Sequence, residues 1–190
     1  MFVKWRMTAN PFTIDSDATV PDAIEMMQTH GITKLPVLRD GKLCGVVSQS
    51  DINRALPSDA TSLSFGEVAY LLSKLKIYKI MKKIPPTISA DAMLEEAAIV
   101  MRDSKVEILP VMDEGKVIGV ITESDVLDAF IDINGAREPG TRLVIEADDQ
   151  PGVMSRLARV TGELETNITH IAVYRTCLLY TSDAADERSS

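Results

Sequence analysis

Two short stretches, GVVSQSD at 45–51 and GVITESD at 119–125, determine how this sequence is organised. Each consists of a glycine, two apolar residues, a hydroxyl residue, two further residues and an aspartate. The same offset of 74 positions that relates the two stretches also superimposes LPV at 35–37 on LPV at 109–111, without a gap. Repetition at a fixed offset indicates that one structural unit occurs twice.

The same offset of 74 positions relates identical residues over most of both halves of the duplication. Further identical positions are Met7 and Met81, Pro11 and Pro85, Thr13-Ile14 and Thr87-Ile88, Asp17-Ala18 and Asp91-Ala92, and Gly41-Lys42 and Gly115-Lys116. Because a unit of about 55 residues is marginally stable alone, we expect the two units to pack together and share a core.

Each unit has the pattern of a strand, a helix, two further strands and a second helix. The first helix is predicted from apolar residues at helical spacing: Val20, Ala23, Ile24 and Met27, repeated by Leu94, Ala97, Ala98 and Met101. Two apolar runs joined by Asp40-Gly41, or by Glu114-Gly115, then predict a hairpin. A second helix is expected at about 50–56 and again at 124–131. The fold class is therefore α+β, with two βαββα units.

The segment 57–74 between the units is predicted to be a helical linker. Ser64 and Glu67 have the spacing of a capping box, and an apolar stripe follows at helical spacing. The stripe consists of Val68, Leu71, Leu72 and Leu75. We expect this helix to dock on the pair of units, and a helix that binds a partner protein is the alternative.

Composition and charge limit the class of protein. The 190 residues carry a formal net charge of −8 and a sequence pI near 4.8, which argues against nucleic acid or an anionic membrane as the main partner. The N-terminal stretch at 1–10 lacks the apolar core of a signal peptide, and no segment is long enough to span a bilayer. Cys44 and Cys177 lack metal-type spacing, and Cys44 lies in an apolar run. The expected location is the cytoplasm.

The hydroxyl and carboxylate of each repeated stretch suggest two roles. Ser48 with Asp51, and Thr122 with Asp125, stand where a strand ends and a helix begins. They can cap that helix by accepting its first backbone N–H groups. They can also hold the vicinal hydroxyls of a sugar, since a carboxylate accepts both O–H groups in charge-assisted hydrogen bonds. The spacing alone leaves both alternatives open.

Three elements together make the duplicated region resemble a pair of CBS domains, known as a Bateman module. They are the leading Pro-x-Thr-Ile at 11–14 and 85–88, the middle Leu-Pro-Val, and the closing Gly-apolar-apolar-Ser/Thr-x-x-Asp. The resemblance covers residues 1 to about 134. It implies that the units pack by their sheets about a pseudo-two-fold axis and bind adenosine-containing ligands in two clefts. AMP, ADP, ATP and S-adenosylmethionine are the implied effectors, and no catalytic cofactor is implied.

The resemblance also implies which residues serve the clefts. Ser48 and Asp51 would hold the ribose in one cleft, and Thr122 and Asp125 would hold it in the other. The remaining residues implied to line the clefts are Thr13, Ile14, Thr87, Ile88, Ile32, Pro36, Val106 and Pro110.

The two clefts are expected to differ in charge. Many members of the family carry Arg immediately before the motif aspartate, where this sequence has Ser50 and Ser124. Arg54 lies one helical turn after Asp51 and can replace that arginine, whereas its counterpart is Asp128. Because acidic neighbours repel phosphate, we expect the cleft next to Arg54 to be the better phosphate acceptor. The lysine-rich stretch at 74–83 either adds positive charge at the clefts or forms a solvated face.

The pattern changes after residue 140. Alternation predicts strands at 142–147 and 168–174, and Val153, Leu157, Val160 and Leu164 predict a helix between them. With the loop Asp149-Gln150-Pro151-Gly152, this order resembles the first half of a ferredoxin-like ACT domain, a family that binds small effectors. Asp149, Gly152 and Asn167 would be its effector-side residues, although Pro-Gly also serves simply to turn a chain. A partial ACT unit is therefore expected at 141–175, after a linker at 135–140.

Residues 176–190 continue neither pattern and are predicted to be foreign or disordered. The resulting boundaries are CBS unit 1 at 1–56, linker at 57–74 and CBS unit 2 at 75–134. The arrangement resembles bacterial CBS–ACT proteins of the acetoin-utilisation accessory type.

The predicted function is that of a regulatory protein, not an enzyme. The sequence contains no nucleophile with an adjacent base and no glycine-rich phosphate loop, and His30 and His170 are isolated. We expect a homodimer that senses an adenosyl ligand and acts on an unidentified regulated protein. The alternative is a dimerisation scaffold whose nucleotide sites are degenerate.

Overall fold

The computed structural model describes residues 1–56 and 64–174. The first half contains, in chain order, a 3-10 turn (Val3–Trp5), β1 (Thr8–Ala9), β2 (Ile14–Asp15), α1 (Val20–His30), β3 (Lys34–Arg39), β4 (Lys42–Ser48) and α2 (Gln49–Ala55). Two connecting helices follow, α3 (Phe65–Lys74) and α4 (Ile77–Ile80). The second half contains β5 (Lys82–Lys83), β6 (Ile88–Ser89), α5 (Leu94–Ser104), β7 (Ile108–Asp113), β8 (Lys116–Thr122) and α6 (Glu123–Ile133), and α7 (Val153–Glu163) comes last.

The predicted strand–helix–strand–strand–helix order is confirmed in both repeats. The elements α5, β7 and β8 begin 74 residues after α1, β3 and β4, and have the same lengths. Asp40-Gly41 and Glu114-Gly115 form the two hairpin turns, with positive φ at all four residues, the conformation that type I′ turns require. The α+β fold class with two four-stranded sheets is confirmed.

The two repeats exchange a short strand, which the sequence analysis did not foresee. The sheet orders are β2-β3-β4-β5 and β1-β8-β7-β6. Strand β1 therefore belongs to the first repeat but pairs with the second, where Thr8 lies opposite Val120. Strand β5 does the converse, with Lys82 opposite Val46. Each four-stranded sheet is completed only when both repeats are present.

The glycines that open the repeated stretches lie against the exchanged segments. A Cβ atom built on Gly119 would be 2.6 Å from the Met7 sulfur, and one on Gly45 would overlap the Met81 sulfur. Real Cβ atoms are not found so close to other heavy atoms. Glycine at these positions therefore makes room for the methionine that accompanies the exchanged strand.

The buried apolar side chains form two clusters, one in each repeat, and not the single shared core that we expected. Each cluster also contains a residue from the N-terminal segment of the other repeat. Ile77 of α4 is buried in the first cluster, and Val3 of the 3-10 turn, 74 positions earlier, is buried in the second. The exchange thus extends to the cores, because the N-terminal segment of each repeat contributes a buried side chain to the core of the other repeat.

The linker helix α3 has the predicted capping box. Ser64 Oγ accepts a hydrogen bond from the Glu67 backbone N–H, and Glu67 Oε2 accepts one from Ser64 N–H at 2.8 Å. Leu72 and Leu75 pack against the core of the first repeat, whereas Leu71 is 52% exposed. The linker helix is therefore docked on the first repeat. The part of the predicted linker at 57–63 lies outside the described residues.

The chain divides into two compact units, and the first ends at Ala129. Helix α7 of the second unit confirms the helix predicted there. The strands predicted at 142–147 and 168–174 are wrong, since no strand is found among residues 134–174. Alternating apolar residues form a strand only with a hydrogen-bonded partner strand, and the described part of the chain provides none for either segment. Cys177 and the predicted tail at 176–190 lie outside the described residues.

Among residues 1–56 and 64–174, the helices are all too short or too polar to cross a membrane.

Candidate functional site

The first Ser-x-x-Asp stretch forms a reciprocal helix cap. Ser48 ends β4, and its Oγ accepts a hydrogen bond from the Asp51 N–H at 3.2 Å. Asp51 Oδ2 accepts from the Ser48 N–H at 3.0 Å and from the Ser48 hydroxyl. The helix-capping interpretation is therefore correct for this stretch. The cap uses only one of the two carboxylate oxygens of Asp51.

The second stretch repeats this geometry. Asp125 Oδ2 accepts hydrogen bonds of 2.7 Å from both the N–H and the hydroxyl of Thr122, and the Asp125 N–H donates to Thr122 Oγ1 at 3.3 Å. Both repeats thus fix the motif carboxylate at the start of a helix. The positive end of the helix dipole favours a negative charge at this position.

The other oxygen of Asp51 lacks a hydrogen-bond donor. Asp51 is only 4% exposed, and its Oδ1 is buried without a hydrogen-bond partner. The Arg54 guanidinium lies 3.4 Å from Oδ1 without hydrogen-bond geometry, and its own side chain is 70% exposed. A buried carboxylate oxygen without a donor is unfavourable, so this position is suited to a ligand that donates hydrogen bonds.

The surroundings of Asp125 are more acidic and more open. Asp125 is half-buried, Glu123 is exposed beside it in the first turn of α6, and Asp128 stands where the first repeat has Arg54. The two motif carboxylates therefore share one cap geometry but have different burial and different neighbouring charges.

An ion pair that sequence analysis missed joins the two repeats. Lys34 Nζ lies 2.7 Å from Glu107 Oε2. Lys34 is opposite Ser48 in the strand register, and the Glu107 carbonyl accepts from the Glu123 N–H at 3.2 Å. The pair thus connects the neighbourhoods of both motifs. The hydrogen bond from Lys34, and then its charge, lower the pKa of Glu107. The two residues are not equivalent in the duplication, so the repeat alone could not have revealed them.

The remaining predicted cleft residues lie in or near the cores. Ile14 and Ile88 are buried opposite Val37 and Val111 of the neighbouring strands. Pro36 and Pro110 are also buried. Thr13, Ile32 and Val106 are half-buried, and Thr87 is exposed. Core packing explains the buried members, and contact of any of them with a ligand stays a prediction.

Two surface depressions of the first compact unit lie away from the motif aspartates. One, of about 360 Å³, is lined by Ala98, Met101, Arg102, Lys105, Glu123 and Val126. The other, of about 340 Å³, is lined by Ala55, Val68, Leu71, Leu72, Lys74, Leu75 and Lys79. Neither contains Asp51 or Asp125, so the carboxylates stand apart from these two depressions.

The effector residues predicted for the second unit are all exposed: Asp149, Gly152 and Asn167. Gly152 precedes α7 with φ of 89°, a left-handed conformation that suits glycine. This agrees with a turn at Pro151-Gly152, and effector binding there stays a prediction. No cluster of metal-ligating side chains occurs among residues 1–56 and 64–174.

Comparison with known proteins agrees with the duplicated architecture. The family described as "CBS domain" matches residues 3–58 and 77–132. A CBS domain-containing protein of Dictyostelium discoideum is 35% identical over 135 residues, which cover 70% of this chain and 93% of the relative.

Solved structures of CBS domain pairs are also similar. The structure of CBSX2 in complex with AMP is 31% identical, with a TM-score of 0.55, and covers 70% of this chain and 97% of that one. The CBS pair of protein MJ0100, in complex with 5-methylthioadenosine and S-adenosyl-L-methionine, is 25% identical, with a TM-score of 0.57 and coverages of 73% and 98%. A putative acetoin utilization protein, AcuB, from Vibrio cholerae is 27% identical, with a TM-score of 0.58 and coverages of 75% and 98%.

Proposed function

Because the chain belongs to the CBS domain family, we propose that residues 1–134 form a regulatory module that binds adenosine-containing ligands between its two repeats. Residues 1–56 and 75–134 would be the two CBS units and 57–74 the linker. The module would have no catalytic role, and ligand occupancy would be transmitted to a partner protein or to an oligomer.

The proposal rests on the buried Oδ1 of Asp51, which accepts no hydrogen bond. The helix cap uses Oδ2, whereas Oδ1 accepts no hydrogen bond and lies beside the Arg54 guanidinium, so in this proposal a ribose hydroxyl donates to Oδ1. Hydrogen bonds to a charged acceptor contribute about 1.5–3 kcal/mol each when they are buried. A vicinal diol would supply the donor that the buried oxygen lacks.

The relatives support the adenosyl class of ligand. CBSX2 was solved with AMP, and MJ0100 with S-adenosyl-L-methionine and 5-methylthioadenosine, and these three ligands share a 5′-substituted adenosine. AMP, ADP, ATP and S-adenosylmethionine are accordingly the effectors to test. In this proposal Ser48 and Asp51 serve one site, and Thr122 and Asp125 the other.

The two sites would differ in their affinity for phosphate. Arg54 lies beside Asp51, so a cationic side chain accompanies the first motif, whereas the charge of Lys34 is compensated by Glu107. Glu123 and Asp128 accompany the second. Coulomb attraction thus favours AMP, ADP or ATP at the first site, and repulsion disfavours them at the second.

The remaining parts of the proposal concern assembly and the second unit. A homodimer in the cytoplasm, acting on an unidentified regulated protein, is the form that we propose. Residues 141–175 would be a partial ACT unit that has the predicted helix α7 but not the two predicted strands, with Asp149, Gly152 and Asn167 toward an effector. Similarity to AcuB supports the acetoin-utilisation type of CBS protein.

The helix caps favour one alternative, a dimerisation scaffold without ligand. Both motif carboxylates already have a structural task, and neither of the two described depressions reaches them. In a scaffold the motif would be kept for capping alone.

Isothermal titration calorimetry of the full chain with AMP, ATP and S-adenosylmethionine separates the two functions. The regulatory proposal predicts saturable binding that is lost in Asp51→Ala and weakened less in Asp125→Ala. Loss of binding only in Asp125→Ala would support the regulatory function but contradict the prediction that the first site has the higher affinity for phosphate. Absence of binding by folded native protein would favour the scaffold.

A further inference from the structure

The face of the first sheet that carries Ser48 also carries two lysines. Lys34 of β3 lies opposite Ser48 in the strand register. Lys82 of β5 lies opposite Val46, which precedes Ser48 by two residues in β4. Residues opposite each other in antiparallel strands, and residues two positions apart in one strand, lie on the same face of a sheet. Val46 is buried but belongs to neither core cluster, so this face is turned away from the core of the first repeat.

The equivalent positions in the second repeat are uncharged. Thr122 is the counterpart of Ser48, and its register partner is Ile108. Thr8 of β1 takes the place of Lys82 and lies opposite Val120. Two ammonium groups therefore share a sheet face with the first motif, whereas an apolar side chain and a hydroxyl share one with the second.

A carboxylate of the second repeat meets these lysines. Glu107 Oε2 lies 2.7 Å from Lys34 Nζ. The hydrogen bond from Lys34, and then its charge, lower the pKa of Glu107, and the charge of Lys82 adds a smaller effect in the same direction. Glu107 therefore compensates positive charge beside the first motif. Its counterpart in the first repeat is Thr33, so the duplication supplies no such carboxylate to the second motif.

The two members of this ion pair differ in exposure. The Lys34 side chain is 24% exposed, and the Glu107 side chain is 63% exposed. An exposed ion pair contributes little, because water solvates the separated charges nearly as well. The Glu107 carboxylate can therefore leave Lys34 for water at small cost, whereas the more buried Lys34 gains from another anion in its place.

We propose that Glu107 competes with the 5′-phosphate of a bound nucleotide for Lys34, and is thereby a specificity-determining residue of the first site. This inference rests on the proposed function. A ribose held at Asp51 lies beside Ser48, and Lys34 is on the opposite strand. Register partners have Cβ atoms about 4.5–5.5 Å apart, and the four-carbon stem of lysine extends its reach to a 5′ group. Glu107 therefore weakens the binding of AMP, but not that of an adenosine with an uncharged 5′ group.

Calorimetric titration of the full chain with AMP and with 5-methylthioadenosine tests this competition. Both ligands contain adenosine, and only AMP has a negative 5′ group. Glu107→Gln should strengthen AMP binding about three- to fivefold, which is the most that an exposed ion pair generally contributes. It should change the binding of 5-methylthioadenosine less than about twofold. The site to follow is the one that Asp51→Asn weakens.

A double-mutant cycle with Lys34 shows whether the effect passes through the ion pair. Lys34→Gln should weaken AMP binding, because the phosphate loses a cation. In the Lys34→Gln background, adding Glu107→Gln should change AMP binding less than about twofold, since the two residues act through one contact. A general effect of net charge would instead persist in that background. Glu25→Gln removes the same charge from an exposed position of α1 and is the matched control, which should leave the affinity for both ligands unchanged.

The possible results separate this inference from the proposed function. The inference alone is overturned if Glu107→Gln leaves AMP affinity unchanged, strengthens both ligands equally, or acts fully without Lys34, while 5-methylthioadenosine still binds. If folded native protein binds neither ligand, the proposed function is rejected and the inference falls with it.

Discussion

Gly45 lies so close to the exchanged strand β5 that a side chain there would disturb the pairing of the two repeats. A Cβ atom at this position would lie 2.9 Å from the Lys82 carbonyl oxygen and would overlap the Met81 sulfur. The thioether can rotate away, but the carbonyl oxygen belongs to the strand that pairs with β4. We therefore expect Gly45→Ala to force β5 outward.

The equivalent change in the other repeat should cost less. A Cβ atom at Gly119 would lie 2.6 Å from the Met7 sulfur but 3.2 Å from the nearest backbone atom, Thr8 O. Overpacking costs about 1–3 kcal/mol. Gly45→Ala should fall in the upper part of that range, because backbone must move. Gly119→Ala should fall at its lower end, because a flexible side chain can make room.

Urea unfolding followed by circular dichroism measures both costs as changes in the free energy of unfolding. Gly66→Ala is the matched control, because nothing lies within 4 Å of a Cβ there and Gly66 is in α3. It should be neutral or stabilise by up to about 1 kcal/mol. A Gly45→Ala variant within about 0.5 kcal/mol of native, or less affected than Gly119→Ala, would refute the account of the strand exchange.

Two further predictions concern ionisable groups and caps. The pKa of Glu107 is lowered in the folded protein, so its stabilisation is present above the unfolded pKa of about 4.3 and is lost as the pH falls through the lower folded pKa. Glu107→Gln should therefore lower the free energy of unfolding by at most about 1 kcal/mol at pH 7. In thermal melts at pH 3–7, the native protein should lose more stability in acid than Glu107→Gln does, because only the native protein loses the ion pair with Lys34. Thr19→Ala removes the capping hydroxyl of α1 and should cost about 1 kcal/mol, whereas Thr19→Ser should be close to native in the same melts; equal losses would contradict the capping argument.

The duplication could be predicted because it leaves a gapless pattern in the sequence. Every identical pair lies at one offset, and hairpin turns such as Asp40-Gly41 have residues that tolerate positive φ. The strand exchange could not be predicted in the same way. Strands β1 and β5 are two residues long, and Thr8-Ala9 and Lys82-Lys83 have no apolar alternation, so only the tertiary pairing defines them.

The second unit shows the opposite outcome. The alternation at 142–147 and 168–174 is typical of strands, yet these segments form no strand with any other part of residues 1–56 and 64–174. A strand depends on hydrogen bonds to another segment, and a local sequence pattern does not show whether that segment is present. Helix α7 forms its backbone hydrogen bonds within itself, so its apolar spacing was sufficient to predict it.

The candidate site could be located from the sequence but not interpreted fully. Ser48 and Asp51 were identified from the repeat, and the two alternatives of capping and sugar binding were left open. The structure uses Oδ2 for the cap and leaves Oδ1 without a donor, a division that only coordinates can reveal. The Lys34–Glu107 pair depends on how the repeats meet and has no local signature.

The most direct test of the proposed function is calorimetric titration of AMP into native protein and into Asp51→Asn. An asparagine oxygen can still accept the cap hydrogen bonds, but its amide nitrogen places a donor at the position of Oδ1, where the proposal requires an acceptor for the ribose hydroxyl. The account predicts that Asp51→Asn stays folded and binds AMP at least about tenfold more weakly, the equivalent of one charge-assisted hydrogen bond. Native affinity for AMP in folded Asp51→Asn would contradict it, because Asp51 would then act only as a helix cap.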